Sequence, residues 1–475
     1  MRDREHNLLT CVTIVLLLLS TAAVCSGQET DRIRPSRQNP NYWQYEGEPV
    51  LLAGGTKDDS LFQIPDLEKH LDLLAKVGGN YIRNTMSDRQ DHGFEVYPFK
   101  RLENGKYDLD RWNDEYWDRF RRMLELTRER DVIVQIEVWD RFDYSQEQWE
   151  AHPYRPVNNV NYTTESSGLK NHYPAPAWRD KQPFFHSIPG MERYREKYDT
   201  FRRYQERFVD RVASISLDYD NVLYCMDNET CTPPPWGQYW MKFIQKRAKQ
   251  RDLTAHVTDM FDHGWKPRSC WKCKVSFEKT DLYRFIDISQ VNSRTFNEDH
   301  WENILWVVRQ VRKQKPRPVN HVKIYGSGHL SFGTGGPKDG LERFWRNLIA
   351  GSAAVRFHRD GAGNGLKPIA QASIRAVRKV EQQVKFWDVQ PHMGLLGSRE
   401  EDEAYLAADP GKQYVLYFTD GGSVTLDLRK HNGQFELQWI DIGTGEWGPE
   451  DTVRGGEKVK IQAPGKGDRV VTIVR

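Results

Sequence analysis

The sequence predicts an α/β protein, a (β/α)8 TIM barrel followed by a small all-β sandwich, and two observations carry this prediction. Over residues 49–390, short apolar runs alternate with longer amphipathic stretches, as in parallel strands covered by helices. After Trp387 the pattern changes to short alternating runs separated by Gly and Asp turns. Eight strand–helix units in unbroken order favour a closed barrel, because doubly wound sheets rarely use so many.

The barrel strands are predicted at the short apolar runs. These are residues 50–54, 80–83, 132–138, 222–226, 255–260, 285–291, 322–325 and 353–357. Helices are predicted over the amphipathic stretches between them: residues 65–77, 109–130, 193–217, 239–251, 299–313, 340–349 and 369–386. An insert rich in Pro and Asn, residues 152–189, follows the third strand on the catalytic face of such a barrel. We expect it to wall the cleft.

The C-terminal sandwich is predicted from six short alternating strands, at residues 403–407, 414–418, 424–427, 436–442, 458–461 and 470–474. A chain of 475 residues suits one large and one small domain. The predicted division is a signal peptide at residues 1–27, the barrel at residues 28–390 and the sandwich at residues 391–475.

The first 27 residues have the organisation of a secretory signal peptide. A charged start precedes an apolar run from Leu8 to Leu19, and small residues follow between Ala22 and Gly27. The apolar run is shorter than the roughly 20 residues that a membrane-spanning helix needs. We therefore expect a secreted or periplasmic protein whose mature chain has no integral membrane segment.

The composition narrows the classes of partner. Because 69 Lys and Arg balance 67 Asp and Glu and no basic block stands out, we expect no nucleic-acid partner. Aromatic residues make up 12% of the chain, with 16 Trp, which suits stacking on sugar rings, although a Trp-rich core would explain them equally.

Four cysteines remain after the leader: Cys225, Cys231, Cys270 and Cys273. In an exported chain this number favours disulfides. Cys270 and Cys273 have the spacing of half a zinc site, but no second close pair accompanies them. We therefore expect no metal and no cofactor.

Polar residues at the predicted strand ends define a candidate site, because the carboxyl ends of barrel strands meet in one cleft. The candidates from these ends are Asp59, Arg83, Glu137, Trp139, Asn228, Glu229, Tyr325, His358 and Asp360. A cleft of carboxylates, Arg, His and Trp fits hydrolysis of a carbohydrate substrate. That chemistry needs one carboxylic acid as proton donor and a second carboxylate as nucleophile or base.

The stretch NVLYCMDNET, residues 221–230, ends the fourth strand in Asn-Glu and so resembles the large clan of retaining barrel glycosidases. The resemblance implies that Glu229 is the general acid/base and that Asn228 binds the sugar hydroxyl beside the scissile bond. The motifs GGTKDD, NYIR, ERFWRN and AAVRFH are similar to those of secreted bacterial glycosidases related to the apiosidase-like enzymes. The tail resembles the collagen-binding-type domain appended to many of them, a label that is not evidence for collagen binding.

The seventh strand departs from this family pattern. The clan closes that strand with a nucleophilic Glu, whereas VNHVKIYG, residues 319–326, contains no acid. Glu137 is the first substitute, because an acid in so apolar a strand is costly unless it is used or paired. Its alternative is a structural salt bridge with Arg83. Asp360 and Asp59 are further candidates for the second carboxylate.

Structural roles remain open for the other candidates. Arg83 either contacts substrate or holds neighbouring carboxylates, and Trp139 either stacks on a sugar or packs in the core. Lys323 stands where an acid is expected, and we consider a pair with Glu229 or Glu137. Asp59, Tyr325 and His358 are predicted to bind substrate. A carbohydrate-binding barrel without catalysis remains the alternative function.

Overall fold

Eight parallel strands form the centre of the structure, and their order matches the predicted barrel. The computed structural model describes residues 31–87, 89, 92–176, 182–262, 267–290, 294–328 and 334–475. The predicted signal peptide and Val291 lie outside the described residues. The barrel strands are Leu52–Gly55, Tyr81–Thr85, Ile133–Asp140, Val222–Asn228, Val257–Thr258, Ile286–Asp287, Val319–Ile324 and Ala354–Phe357, and are called the first to eighth strands below.

The strands pair as two parallel four-stranded sheets, one of the second to fifth strands and one of the sixth, seventh, eighth and first. Backbone hydrogen bonds join the sheets at both edges. Asn80 N donates to Ala53 O at 3.0 Å beside the first strand, and Arg284 N donates to Val257 O at 2.9 Å beside the fifth. These bonds close the barrel and confirm the predicted fold class.

Helices surround the barrel strands, and the longer ones bury an apolar face. Their bounds are Leu67–Lys76, Asp114–Arg128, Gln146–Ala151, Thr164–Ser167, Asp199–Ser216, Pro234–Lys249, Trp271–Glu278, Asn297–Gln314, Pro337–Ile349 and Pro368–Gln383. Three of them begin with Pro, which suits the first turn because it lacks an N–H that would be unpaired there. Within the described residues, none of the helices is both apolar and long enough to span a bilayer.

An N-terminal sheet closes the end of the barrel opposite the strand carboxyl ends. Its strands are Arg34–Pro35, Trp43–Tyr45 and Glu48–Val50. Trp43 is fully buried, and its indole N–H donates to Asn320 Oδ1 at 2.9 Å on the seventh strand. The polar tip of the indole is therefore satisfied while its ring fills the bottom of the barrel.

Two antiparallel sheets form the C-terminal sandwich, one of six strands and one of three. The six-stranded sheet contains Gln390–Pro391, Ala404–Asp409, Gln413–Phe418, Arg469–Val474, Gln434–Asp441 and Glu446–Arg454. The three-stranded sheet contains Leu396–Gly397, Ser423–Asp427 and Lys458–Gln462. All six predicted strands are present. Glu446–Arg454 was not predicted, because its mostly exposed, charged residues lack an apolar face.

The sandwich packs on the last two barrel helices through an aromatic and ionic contact. Trp345 is fully buried and its ring lies 5.9 Å from that of Tyr417. Beside it, Arg346 donates to Glu342 Oε2 at 2.7 Å and to Asp402 Oδ1 at 2.9 Å. The guanidinium of Arg346 therefore joins an acid of the barrel to an acid of the sandwich.

Replacing Arg346 by Met should destabilise this contact, because two carboxylates would lose a fully buried cation. Removing one partner of a buried ion pair costs about 3 to 5 kcal/mol. We expect Arg346→Met to lower the free energy of unfolding in urea by about 3 kcal/mol. Arg375→Met is the control, since Arg375 contacts Thr444 O of the sandwich from a more exposed position. Equal losses in the two variants would contradict a stabilising role for Arg346.

Candidate functional site

Glu229 lies immediately after the fourth strand, at the mouth of the barrel, in an unusual backbone conformation. Its φ is 60°, which places a non-glycine residue in the left-handed region. This conformation costs about 1 kcal/mol or more, and such strain is concentrated at functional sites. Arg141 supports it, because Arg141 Nη1 donates to the carbonyl oxygen of Glu229 at 2.7 Å.

Four side chains contact the Glu229 carboxylate. Lys323 Nζ forms an ion pair with Oε1, and Gln290 Nε2 donates to the same oxygen at 3.0 Å. Arg141 Nη2 donates to Oε2 at 2.7 Å, and the Tyr325 hydroxyl lies 3.4 Å from Oε1. The side chain of Glu229 is 13% exposed, so it can be reached from the barrel mouth.

The charged neighbours of Glu229 determine its ionisation state. Burial alone would raise its pKa, but the ammonium of Lys323 and the guanidinium of Arg141 outweigh burial and lower the pKa to about 2. Lys323 responds in the opposite sense: burial lowers its pKa, but Glu229 outweighs burial and raises it. Both groups are therefore charged at neutral pH in the unliganded protein.

A second charged group lies beside the first and centres on Arg83 of the second strand. Arg83 is fully buried and forms ion pairs with Asp59 and Glu137. Arg359 Nε lies 3.0 Å from Asp59 Oδ2, and His358 Nδ1 lies 3.5 Å from Asp59 Oδ1. Burial would raise the pKa of Asp59, but Arg83 above all holds it well below the ordinary value. Asp59 is therefore an ionised carboxylate.

Glu137 forms the salt bridge with Arg83 that the sequence analysis gave as its structural alternative. Its side chain is fully buried, and its ion pair is with Arg83. Burial raises its pKa to about 7, with Arg83 opposing the shift. Its burial and its pair with Arg83 favour the structural salt bridge, and a catalytic role of Glu137 stays an untested prediction.

Trp139 and Asp360 also lie away from the mouth. Trp139 is 1% exposed, and its ring packs 5.1 Å from Phe208 and 5.5 Å from Trp240 on the outer helices. This packing favours the core role that the sequence left open, and stacking of Trp139 on a sugar stays an untested prediction. Asp360 has Lys367 as its ionic neighbour at 3.9 Å and lines an outer groove with His70, so the structure gives no support for catalysis by Asp360.

The remaining predicted residues converge at the mouth. Asn228 Oδ1 accepts a hydrogen bond from Lys323 Nζ at 3.0 Å, so one ammonium holds both residues of the Asn-Glu pair. Tyr325 accepts from Gln290 Nε2 at 3.0 Å, and the rings of Tyr325 and His358 lie 4.9 Å apart. Burial lowers the pKa of His358 well below its ordinary value, so its imidazole is neutral.

Arg141 is the main contact that sequence reasoning missed. It follows the third strand in a short 3-10 turn, Arg141–Tyr144, and pairs with both Glu229 and Asp262. Nothing in the periodicity of the sequence distinguishes it from other loop arginines. The pair of Lys323 with Glu229, one of the two considered, is confirmed.

The described thiols do not form the expected disulfides. In the described part of the chain, no disulfide joins Cys225, Cys231, Cys270 or Cys273. Cys225 Sγ and carboxylate oxygens of Glu137 and Asp287 lie within 4.8 Å of one another, a spacing that would suit a metal ion. Arg83 already pairs with Glu137, and Asp287 accepts from Gln135 Nε2 at 2.7 Å. These acids are therefore already engaged by protein groups.

Comparison with solved structures gives whole-chain similarity to glycoside hydrolases. A glycoside hydrolase family 5 protein from Bacteroides vulgatus ATCC 8482 aligns with a TM-score of 0.62 at 12% identity, covering 94% of each chain. A second structure, described as a glycoside hydrolase, aligns with a TM-score of 0.61 at 12% identity, covering 94% of this chain and 98% of that one. The chain shares their fold.

No protein-family model and no curated protein matches the sequence. The apiosidase-like relation and the collagen-binding type of the tail therefore stay predictions. At 12% identity, these structural neighbours show the fold and not which residues of this chain take part in a reaction.

The lowered pKa of Glu229 predicts a pH-dependent contribution to stability. Its pKa is lowered from an ordinary 4.5 to about 2, so the ion pairs stabilise the fold fully above about pH 4.5 and lose this effect as the pH falls towards 2. We expect the difference in unfolding free energy between the wild type and Glu229→Gln to shrink from pH 6 to pH 3, measured in urea. A difference independent of pH would contradict the assigned ionisation.

Proposed function

We propose that this protein is an exported glycoside hydrolase that cleaves a carbohydrate at the barrel mouth, with Glu229 as acid/base and Asp59 as the second carboxylate. The observation that carries the proposal is the pair of ion-paired carboxylates at one mouth: Glu229, whose side chain is 13% exposed, and Asp59, which is nearly buried with a side chain 7% exposed. The fold shared with glycoside hydrolases and the predicted leader at residues 1–27 support it.

Asp59 replaces the acid that the seventh strand lacks. It follows the first strand, and the first strand stands three positions from the fourth around an eight-stranded barrel. The seventh strand stands three positions from the fourth in the other direction. A carboxylate after the first strand therefore reaches the mouth from a side well separated from Glu229, as attack on the opposite sugar face requires.

The contacts with cations support these two roles. Asp59 is ionised and held by Arg83, as a nucleophile or a water-activating base must be. Glu229 is ionised in the unliganded protein and must gain a proton to act as an acid. Substrate binding therefore has to weaken its contact with Lys323 or Arg141, which raises its pKa.

A carbohydrate-binding barrel without catalysis is the second candidate, and the ion pair of Lys323 with Glu229 favours it. An ammonium occupies the strand where the related glycosidases carry an acid, and it keeps Glu229 deprotonated. Calorimetric binding and release of reducing ends, measured on the same oligosaccharides between pH 3 and pH 8, separate the two functions. Binding with no cleavage at any pH would select the binding protein.

Glu229→Gln should retain the fold and lose activity, because Gln matches the shape of Glu and cannot donate the proton. General acid catalysis contributes about 10² to 10⁴ in rate, and we expect a loss of that size in kcat on oligosaccharides with poor leaving groups. Glu381→Gln is the matched control, since Glu381 is 8% exposed and pairs with Arg378 outside the mouth. Comparable activity in the two variants would reject Glu229 as the acid.

Asp59→Ala should lower turnover of aryl glycosides by more than about a thousandfold, because these substrates still need a nucleophile or base. If Asp59 is the nucleophile, added azide restores turnover by attacking the anomeric carbon and displacing the aryl oxide, which leaves a glycosyl azide. Glu229→Gln should retain most of kcat/KM on the same substrates, since an aryl oxide leaves without a proton, whereas kcat falls if Glu229 must also activate the water that hydrolyses a glycosyl-enzyme. Near wild-type turnover by a folded Asp59→Ala would exclude Asp59 from catalysis.

A further inference from the structure

A cavity of about 530 Å³ lies at the bottom of the barrel, at the end opposite Glu229. The N-terminal segment 32–40 forms one wall, and residues at the starts of the fifth, sixth and seventh strands form the others. Its volume lies within the roughly 300 to 1,000 Å³ of small-molecule sites. The cavity is therefore large enough for a ligand of the size of a sugar phosphate.

Six cationic side chains line this cavity: Arg32, Arg34, Arg37, Arg284, Lys315 and Arg317. Among the lining residues that the structure describes, none is Asp or Glu. An ionic contact lies at the edge of the cavity, where Asp281, itself 95% exposed, is 3.7 Å from Lys315 Nζ. The cavity therefore has a strong excess of positive charge.

Some nitrogens of these cations are buried and have no acceptor among the described residues. Nε and Nη2 of Arg34 and Nε of Arg284 are buried without a hydrogen-bond partner among the described residues. Arg317 is 3% exposed, and its Nη2 donates to Ser276 O at 2.8 Å and Phe277 O at 2.9 Å. Unpaired buried donors are costly, and an anion would reduce that cost.

His256, which also lines this cavity, lies in the positive field of these cations. Its ring packs 5.9 Å from that of Trp43, and Nδ1 is buried without a partner in the described chain. Burial lowers the pKa of His256 to about 3, and Arg284, Arg32 and Arg34 lower it in the same direction. The cations that repel a proton from this imidazole attract an anion.

We propose that this cavity binds a small molecule bearing a phosphate or sulfate group. Several guanidinium groups around one space match the oxygens of a tetrahedral oxyanion, which accepts hydrogen bonds in several directions. The site is separate from the mouth, so it does not depend on the proposed hydrolysis. It would bind an anionic sugar or metabolite as an effector or accessory ligand.

Calorimetric titration of the full chain at low salt tests this site with glucose 6-phosphate, glucose 6-sulfate and neutral glucose. We expect saturable binding of one or both esters at one site per chain, no binding of glucose, and weaker binding as NaCl is added. The ester that binds more tightly identifies the preferred oxyanion. Absence of binding by both esters, or equal binding of glucose, would overturn the proposal.

Variants of two cavity arginines test whether the anion binds in this cavity. Arg34→Gln and Arg284→Gln should each weaken affinity about tenfold or more, because a hydrogen bond to a charged group is lost. Arg309→Gln, on the exposed face of helix Asn297–Gln314, is the control and should bind like the wild type. Glu229→Gln should also bind normally, which separates this site from the mouth. Unchanged affinity in both cavity variants, with melting temperatures confirming the fold, would place the anion elsewhere.

Discussion

The contact between Lys323 and Glu229 is the interaction on which the barrel mouth depends. It joins the seventh strand to the end of the fourth, across the mouth, and places both charges where water is scarce. A buried charge is tolerated only when it is paired and hydrogen-bonded. Arg141, Gln290 and Tyr325 complete those bonds, so the backbone strain at Glu229 is held in place by contacts from several strands.

The same rule orders the rest of the barrel interior. Arg83 pairs with Asp59, whose side chain is 7% exposed, and with Glu137, which is fully buried, so one guanidinium holds two carboxylates in the barrel interior. Deeper in the barrel, Tyr81 OH donates to Gln135 Oε1 at 2.6 Å, and Gln135 Nε2 donates to Asp287. Trp43 ends this polar column at the bottom. Paired polar groups therefore also occupy the barrel interior below the mouth.

The strand pattern of the barrel was predictable because each strand is a short apolar run between amphipathic helices. The hairpin Phe99–Arg101 and Tyr107–Trp112 was assigned in part to a helix, because its apolar residues lie beside the start of a genuine helical pattern. In the sandwich, the strand Glu446–Arg454 was not predicted, because an exposed edge strand needs no apolar face.

Site residues were harder to predict than strands, since a strand end fixes the place of a residue and not the direction of its side chain. Glu229, Asn228 and Asp59 face the mouth, whereas Trp139 packs among the outer helices from a neighbouring strand end. Side chains alternate between the two faces within a strand, but this alternation fails at the strand ends, where the adjacent Asn228 and Glu229 both contact Lys323. Arg141 lies in a turn, where no periodicity exists.

A crystal structure with an intact oligosaccharide bound to Glu229→Gln tests the central claim most directly. The account predicts that the glycosidic oxygen lies within hydrogen-bond distance of residue 229 and that the Asp59 carboxylate faces the anomeric carbon from the other side. Carboxyl groups about 5 to 5.5 Å apart would indicate retention, and roughly 6.5 to 9.5 Å inversion. A sugar bound at the mouth with Asp59 still enclosed by Arg83 and Arg359, away from the anomeric carbon, would contradict the two-carboxylate account.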